Sequence, residues 1–263
     1  MERIQSALAK ARSARDRKLH PGSAAAEAGP WQELAEFRPD QMLLERNRIV
    51  TRNPGRGAAS FDVMRTNLLR TLRANSWTRV AVTSPTPGCG KSTVALNLAF
   101  SLARLTDKRV LLVELDLRRP SLSGMLGLTD AVQFAARLRE GDLDMTQVRR
   151  VGPNLALALS AGSVASPAEL LSSPRTADLI DALEARLRPD VILFDMSPMQ
   201  VSDDALAFLD QVDCALMVAA AEETTVAEID KCGKDLAKRT QVLGVVLNKC
   251  RYMEDEETHA YPG

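Results

Sequence analysis

Aromatic residues are scarce in this chain of 263 residues. They make up 4% of it, whereas apolar residues of all kinds make up 45%. A core large enough for a domain must therefore be built from Leu, Val, Ile and Ala. Lys and Arg together number 34, as do Asp and Glu, so the formal net charge is zero. This balance gives no general attraction to nucleic acid or anionic lipid, and no nucleic-acid partner is expected.

Long apolar runs and metal-like cysteine spacings are also absent. No apolar run approaches 18 residues, so no segment is predicted to span a membrane. The first 20 residues are basic but lack the apolar stretch of a secretory signal. A cytoplasmic protein with reduced thiols is the simplest expectation. The four cysteines are Cys89, Cys214, Cys232 and Cys250.

Composition divides the chain into four stretches. Residues 1–20, with six basic and two acidic side chains, are predicted to form a helix that either docks on a partner or membrane surface or stays solvated. Residues 21–57 are predicted to be a linker or irregular segment, because Gly, Ala and Pro recur there. Residues 58–250 are predicted to form the folded domain. Residues 251–263, with one basic and four acidic side chains, are predicted to be an acidic mobile tail.

Helical and strand patterns alternate along the folded domain. The runs at 110–113 and 191–194 are apolar at every position, which is typical of parallel strands covered by helices on both faces. The alternation predicts an α/β fold with a doubly wound, mostly parallel sheet. Strands are predicted at 79–83, 109–115, 155–160, 190–195, 213–219 and 242–248, and helices at 61–72, 91–105, 174–187, 203–210 and 224–239.

A phosphate-binding loop is predicted between the first of these strands and the helix that follows it. Residues 84–93 read S-P-T-P-G-C-G-K-S-T. Glycines let backbone N–H groups surround a polyphosphate, a lysine adds positive charge, and a serine hydroxyl can join a Mg²⁺ shell. Pro85 stands where the full motif has Gly, so the alternative is a Gly-rich turn before a helix. The predicted nucleotide-binding residues are Pro87, Gly88, Cys89, Gly90, Lys91, Ser92 and Thr93.

Three carboxylates lie at the ends of two further predicted strands. Glu114 and Asp116 end the strand at 109–115, and Asp195 ends the strand at 190–195. Ligands of such sheets bind beyond the carboxyl ends of the strands, so these acids are expected to face the loop. One or two of them would suffice for Mg²⁺, leaving another to accept a proton from an attacking hydroxyl. Each acid alone is more typical of a strand-end cap. The arginines at 118 and 119 could stabilise phosphate charge, hold a partner or form a solvated turn.

Together, these motifs resemble those of the bacterial tyrosine kinases of capsule and exopolysaccharide synthesis. They read P-G-C-G-K-S-T at 87–93, V-L-L-V-E-L-D-L-R-R-P at 110–120 and V-I-L-F-D-M-S-P at 191–198. The resemblance continues in S-P-A-E-L-L-S-S-P, S-D-D-A and L-G-V-V-L-N, and it covers roughly residues 58–250. It implies a P-loop kinase domain that uses ATP and Mg²⁺. It also implies a membrane-embedded polysaccharide co-polymerase or activator as partner, which would recruit the chain to the inner face of the membrane.

The resemblance implies a role for each site residue. Lys91 and Ser92 would hold the β/γ phosphates and Mg²⁺, and Asp195 would be the Walker B carboxylate. One acid of the pair Glu114 and Asp116 would receive the tyrosine proton, and the other would support the metal. The candidate catalytic residues are thus Lys91, Glu114, Asp116 and Asp195, the candidate metal ligands Ser92, Asp116 and Asp195, and the adenine contact Asn248.

Three departures from the family pattern bear on activity. The first acid is usually Asp, and here it is Glu114, whose carboxylate lies one methylene further out. The helix that assembles relatives into rings usually carries a Glu and two Arg. It reads Ala59, Asp62 and Arg65 here, which speaks against that ring contact and leaves homo-oligomerisation open. The usual tyrosine cluster at the end of the chain is reduced to two candidate phosphoacceptors, Tyr252 and Tyr261.

Three functions follow from these observations. The leading one is an ATP-dependent protein-tyrosine kinase that phosphorylates itself or a partner and regulates polysaccharide synthesis or export. The second is a partitioning-type P-loop ATPase, a class with a signature Lys early in the loop, where this chain has Thr86. The third is a nucleotide-binding scaffold of the export machinery that transfers no phosphate.

Overall fold

A computed structural model describes residues 29–128 and 133–250. The helix predicted for residues 1–20 and the tail predicted for 251–263 therefore lie outside the described residues. Short 3-10 turns occur at Arg56–Ala58, Met145–Gln147 and Leu209–Gln211. The helices are α1 (Pro30–Glu33), α2 (Gln41–Arg46), α3 (Ala59–Asn75), α4 (Lys91–Ala103), α5 (Leu122–Leu126), α6 (Phe134–Glu140), α7 (Pro167–Leu171), α8 (Pro174–Leu187) and α9 (Val226–Ala237). The strands are β1 (Ala35–Glu36), β2 (Arg79–Thr83), β3 (Val110–Glu114), β4 (Val148–Val151), β5 (Leu155–Ala158), β6 (Val191–Asp195), β7 (Cys214–Ala220) and β8 (Gln241–Asn248).

The described strands join into one eight-stranded sheet in the order β1-β4-β5-β3-β6-β2-β7-β8. The six strands from β5 to β8 in that order are mutually parallel. Strand β4 runs antiparallel to β5, and β1 pairs with β4 in parallel. The predicted doubly wound, mostly parallel sheet is confirmed. Strands β1 and β4 at its edge were not predicted, because β1 has two residues and β4 reads V-R-R-V.

Helices cover both faces of the sheet, and alternate strand residues feed two separate cores. In β3, Leu111 and Val113 lie in one core, whereas Val110 and Leu112 lie in the other. Neighbouring side chains of a strand point to opposite faces, so a run that is apolar throughout is buried on both sides. Among the described residues, no helix combines the length and the apolar character needed to cross a bilayer.

The helix predicted over 203–210 is wrong. The chain there forms successive turns and ends in the 3-10 turn Leu209–Gln211. The side chain of Asp204 is buried and held by the guanidinium of Arg118, which fixes the segment from outside. The helix was predicted from the local sequence, which carries no signal for this long-range ion pair.

The predicted linker contains ordered structure from residue 29 onward. We call residues 29–52 the strap, because they begin in one core with Trp31 and end in the other with Ile49. The indole N–H of Trp31 donates to the carbonyl of Leu187 at 2.6 Å. The Asn97 amide oxygen accepts from the Val50 N–H at 2.8 Å. The Gly, Ala and Pro residues before Trp31 and the breakers Pro39 and Pro54 thus led to a linker prediction for a segment that long-range packing and hydrogen bonds hold in place.

Candidate active site

The topology brings the ends of the three motif strands together. Strand β6 lies between β2 and β3, with Val82 and Glu114 both in register with Asp195. The phosphate-binding loop follows β2 directly and ends at Gly90, which precedes the first residue of α4. The acids and the loop therefore share the carboxyl edge of the sheet, where open α/β folds bind ligands.

Two glycines give the loop its conformation. Gly88 and Gly90 have φ angles of +83° and +87°, which residues with a Cβ adopt only with strain. A Cβ at Gly90 would also lie 2.2 Å from Nδ2 of Asn248. That amide donates to the carbonyl of Cys89 at 2.9 Å, so Asn248 braces the loop from the end of β8. Asn248, the predicted adenine contact, thus lies against the phosphate-binding loop, and its contact with adenine stays a prediction.

Lys91 is the positive centre of the site. Its ammonium donates to Oδ2 of Asp116 at 2.6 Å, and it lies 3.8 Å from Oδ1 of Asp195. It also contacts the hydroxyl of Ser92 at 3.3 Å. Burial lowers the pKa of Lys91, but the carboxylates of Asp195 and Asp116 outweigh burial and raise it overall. Lys91 is thus held as a cation next to two acids.

Asp195 is fully buried, and neither of its carboxylate oxygens has a hydrogen-bond partner of normal geometry among the described residues. Burial raises the pKa of Asp195, while Lys91 and the Ser92 hydroxyl act against that rise. A buried carboxylate that lacks hydrogen bonds is costly unless a ligand completes them. The donor set fits Mg²⁺, which favours oxygen ligands and keeps several waters. The described residues bring no three His, Cys, Asp or Glu side chains together as a metal cluster, so phosphate and water would supply the other ligands.

Asp116 and the loop line a cavity of about 260 Å³. Asp116 is 4% exposed, and besides Lys91 its oxygens accept one long bond from the Arg119 N–H at 3.3 Å. Arg118 reaches Asp204 with two bonds of 2.9 and 3.0 Å, whereas the side chain of Arg119 has no ion pair within the described residues. The lining comprises Pro87, Gly88, Gly90, Lys91, Ser92, Thr93, Asp116, Arg118, Arg119, Ser197, Pro198, Val201 and Ser202.

Glu114 is placed differently from Asp116. Its Oε1 accepts from the N–H groups of Ser121 at 2.6 Å and Leu122 at 2.7 Å, and its Oε2 accepts from that of Ser160 at 3.1 Å. The residue is completely buried. Burial raises the pKa of Glu114 to about 7, although the three backbone donors act in the opposite direction. Three of the four predicted catalytic side chains thus meet at Lys91, while Glu114 is engaged with backbone.

Cys89 packs inside the loop. Its thiol donates to the carbonyl of Thr86 at 3.2 Å and lies 3.6 Å from the hydroxyl of Thr224. Burial raises the pKa of Cys89, but the hydroxyls of Thr86 and Thr224 lower it by more, so the net shift is downward.

Asp204 is a site residue that the sequence analysis did not predict. It binds the guanidinium of Arg118, and it lies in the S-D-D-A stretch that was part of the resemblance.

Comparison with known proteins places this site in a family. A family model described as ParA, NUBPL iron-transfer P-loop NTPase, matches residues 76–262. Tyrosine-protein kinase CpsD of Streptococcus pneumoniae serotype 4 is 32% identical over 65% of this chain and 75% of its own length. The chain belongs to the bacterial tyrosine-protein kinases. Since the match is to P-loop NTPases, this chain is a nucleotide-binding protein. The resemblance drawn from its motifs is confirmed.

Two further relatives of this bacterial tyrosine kinase show which part of their length this chain corresponds to. EpsB of Ralstonia nicotianae, named as a tyrosine-protein kinase, is 34% identical over 87% of this chain. The chain spans 29% of the length of EpsB. The solved kinase domain of VpsO is 28% identical and superposes with a TM-score of 0.65 over 78% of this chain and 98% of that domain. The matched region is therefore the kinase domain.

Proposed function

We propose that this chain is an ATP-dependent protein-tyrosine kinase that regulates polysaccharide synthesis or export. The observation that carries the proposal is the convergence of Lys91, Asp116 and Asp195 at the mouth of the phosphate-binding loop. Loop glycines, a buried lysine and a partly free acid are the parts that phosphoryl transfer to a hydroxyl needs.

Asp116 is the proposed proton acceptor. A tyrosyl hydroxyl would attack the γ-phosphorus of ATP, a new P–O bond would form, and the bond to the β,γ-bridging oxygen would break to release ADP. Asp116 would take the phenolic proton. Nucleotide phosphates would draw Lys91 away from its 2.6 Å contact with Asp116, which would free that carboxylate for this task.

Asp195 and Ser92 are the proposed holders of Mg²⁺, with Asp116 beside them. A bound Mg²⁺ would supply charge neutralisation at the β and γ phosphates. The chain's own contribution is position, because β6 fixes Asp195 beside the loop and α4 fixes Ser92 at its first turn. Lys91 and the backbone N–H groups of the loop would complete the cradle.

A ParA-type ATPase is the second candidate, favoured by the family model over residues 76–262. Against it stands Thr86, at the position of the signature lysine of that class. Its side chain lies 3.5 Å from the thiol of Cys89, within the loop. A nucleotide-binding scaffold without transferase activity is the third candidate.

The proposed partner is a membrane-embedded polysaccharide co-polymerase or activator with a cytoplasmic segment. Basic residues 1–20 are its proposed contact, and recruitment would bring this chain to the inner face of the membrane. The proposed phosphoacceptors are Tyr252 and Tyr261, which lie outside the described residues. Deleting residues 1–20 is expected to reduce co-purification with membranes, and unchanged fractionation would count against this contact.

The test of the proposed function is transfer from Mg-ATP to tyrosine, with and without membranes that carry the activator. Wild-type protein is expected to gain phosphotyrosine at Tyr252 or Tyr261 by mass spectrometry, and Lys91→Met is expected to lose it. Asp116→Asn serves as a second variant, because it keeps the loop lysine and should still bind nucleotide. Phosphate release without phosphotyrosine would favour the ATPase, and tight binding without either product would favour the scaffold.

A further inference from the structure

Glu114 and Asp116 lie two residues apart but do different things in this fold. Asp116 lines the cavity and contacts Lys91. Glu114 is completely buried, and both of its carboxylate oxygens accept hydrogen bonds from backbone N–H groups. A carboxylate that accepts three backbone bonds is held in one geometry, because moving it would leave three buried donors without partners.

The bonds of Glu114 close a loop. Residues 115–120 leave β3 and carry the cavity-lining Asp116, and the chain returns at Ser121 and Leu122, whose N–H groups bind Oε1 of Glu114. The two ends of this catalytic loop are thereby tied to one carboxylate group. Oε2 extends the tie to Ser160, which follows β5, the neighbour of β3 in the sheet.

We infer that Glu114 is a positioning residue, which fixes the loop that carries Asp116, and is not the acceptor of the substrate proton. This inference rests on the proposed kinase function and deepens it by assigning the proton to Asp116 alone. The length of the side chain matters, since an aspartate at this position would draw the carboxylate back by one methylene. The longer side chain of Glu114 is therefore what allows its carboxylate to reach the three N–H groups.

Amide hydrogen exchange of the full chain tests the tie without relying on activity. In Glu114→Asp, the amides of Ser121, Leu122 and Ser160 are expected to exchange about tenfold faster than in wild type, because their acceptor has moved away. In Asp116→Asn, the matched control two residues along, their exchange should be unchanged. Unchanged protection in Glu114→Asp would overturn the inference.

Transfer kinetics test the division of labour between the two acids. Asp116→Asn is expected to lower kcat by about 10²-fold to 10⁴-fold, the range for loss of a general base. Glu114→Gln keeps the side-chain length and one acceptor oxygen, so its kcat should fall about tenfold relative to wild type. This fall should be smaller than the fall in kcat of Glu114→Asp. An equal loss in Glu114→Gln and Asp116→Asn, with the three amides still protected, would make Glu114 a base. If wild type transfers no phosphate, the proposed function fails, and the exchange result still decides the tie.

Discussion

At the scale of single residues, the sequence motifs were sufficient to place Lys91, Asp116 and Asp195. Lys91 opens a helix, Asp195 ends a strand and Asp116 follows one, so the fold itself brings them together. The contacts of Glu114 could not be predicted in this way. They depend on Ser121 and Ser160, whose approach to β3 is set by the packing of separate elements.

Gly90 gives a first prediction at this scale. Gly90→Ala places a Cβ in left-handed backbone and 2.2 Å from Nδ2 of Asn248. We expect a loss of about 1–3 kcal/mol in the free energy of unfolding by urea denaturation, from strain and the clash together. The cost of Gly90→Ala should be smaller in an Asn248→Ala background, where only the backbone strain remains. Equal costs in both backgrounds would contradict the clash.

Glu114 gives a second prediction, on pH. Its pKa in the folded protein is raised to about 7, above the ordinary value of 4.5. The folded state therefore holds the Glu114 proton more tightly than the unfolded state does. The resulting contribution to the free energy of unfolding is complete below the ordinary pKa and is lost as pH rises through about 7. Between pH 5 and pH 8, wild type should lose about 2–3 kcal/mol relative to Glu114→Gln, measured by urea denaturation at each pH. A constant difference across this range would contradict the shift.

At the scale of elements, the six parallel strands were predictable because each contains a run of apolar residues, which only β8 interrupts, at Gly244. Strand β4, which lies next to the edge strand β1, was not, because its two central arginines break the apolar pattern. The predicted helix at 203–210 failed because Asp204 is bound by Arg118, which lies far outside the segment in sequence. The local sequence pattern thus predicts an element correctly unless a long-range side-chain contact holds the segment in another conformation.

The pair of α3 and α4 gives a third prediction. Asp62 accepts from Arg104 at 2.9 Å and from the hydroxyl of Ser101 at 2.7 Å, and it also pairs with Arg65. Burial raises the pKa of Asp62, but these partners lower it overall. Asp62→Ala should lower the free energy of unfolding by about 1 kcal/mol, because the pair is partly screened by solvent.

The same contacts bear on assembly. Since Asp62 and Arg65 bond within one chain, Asp62→Ala should leave the molar mass in solution, by light scattering, equal to that of wild type. A lower mass for the variant would mean that this helix joins copies of the chain.

At the scale of the whole molecule, the strap connects the two cores around the edge of the sheet. Its helices could not be predicted from composition, because Trp31 and Leu187 are distant in sequence and meet only in the folded protein. Trp31 is 3% exposed and packs into one core, so its burial and its bond to Leu187 attach the start of the strap to the sheet.

Trp31 gives the fourth prediction. Trp31→Ala should cost about 3–5 kcal/mol in urea denaturation, from lost burial and the cavity left behind. Trp31→Phe keeps most of the apolar volume and removes the N–H bond to Leu187, so it should cost about 1 kcal/mol. Trp77→Ala, at a half-buried site, is the control for loss of a tryptophan. A small loss in Trp31→Ala would mean that the strap contributes little to stability.

The strand order also dictates when the site can exist during synthesis. Strand β2, which leads into the phosphate-binding loop, is flanked by β6 and β7, and both are translated long after it. One edge of β2 stays unpaired until β6 has emerged at residue 195, and the other until β7 has emerged at residue 220. A nascent chain thus carries the whole loop sequence and no nucleotide site, so topology alone delays ligand binding until the domain is nearly complete.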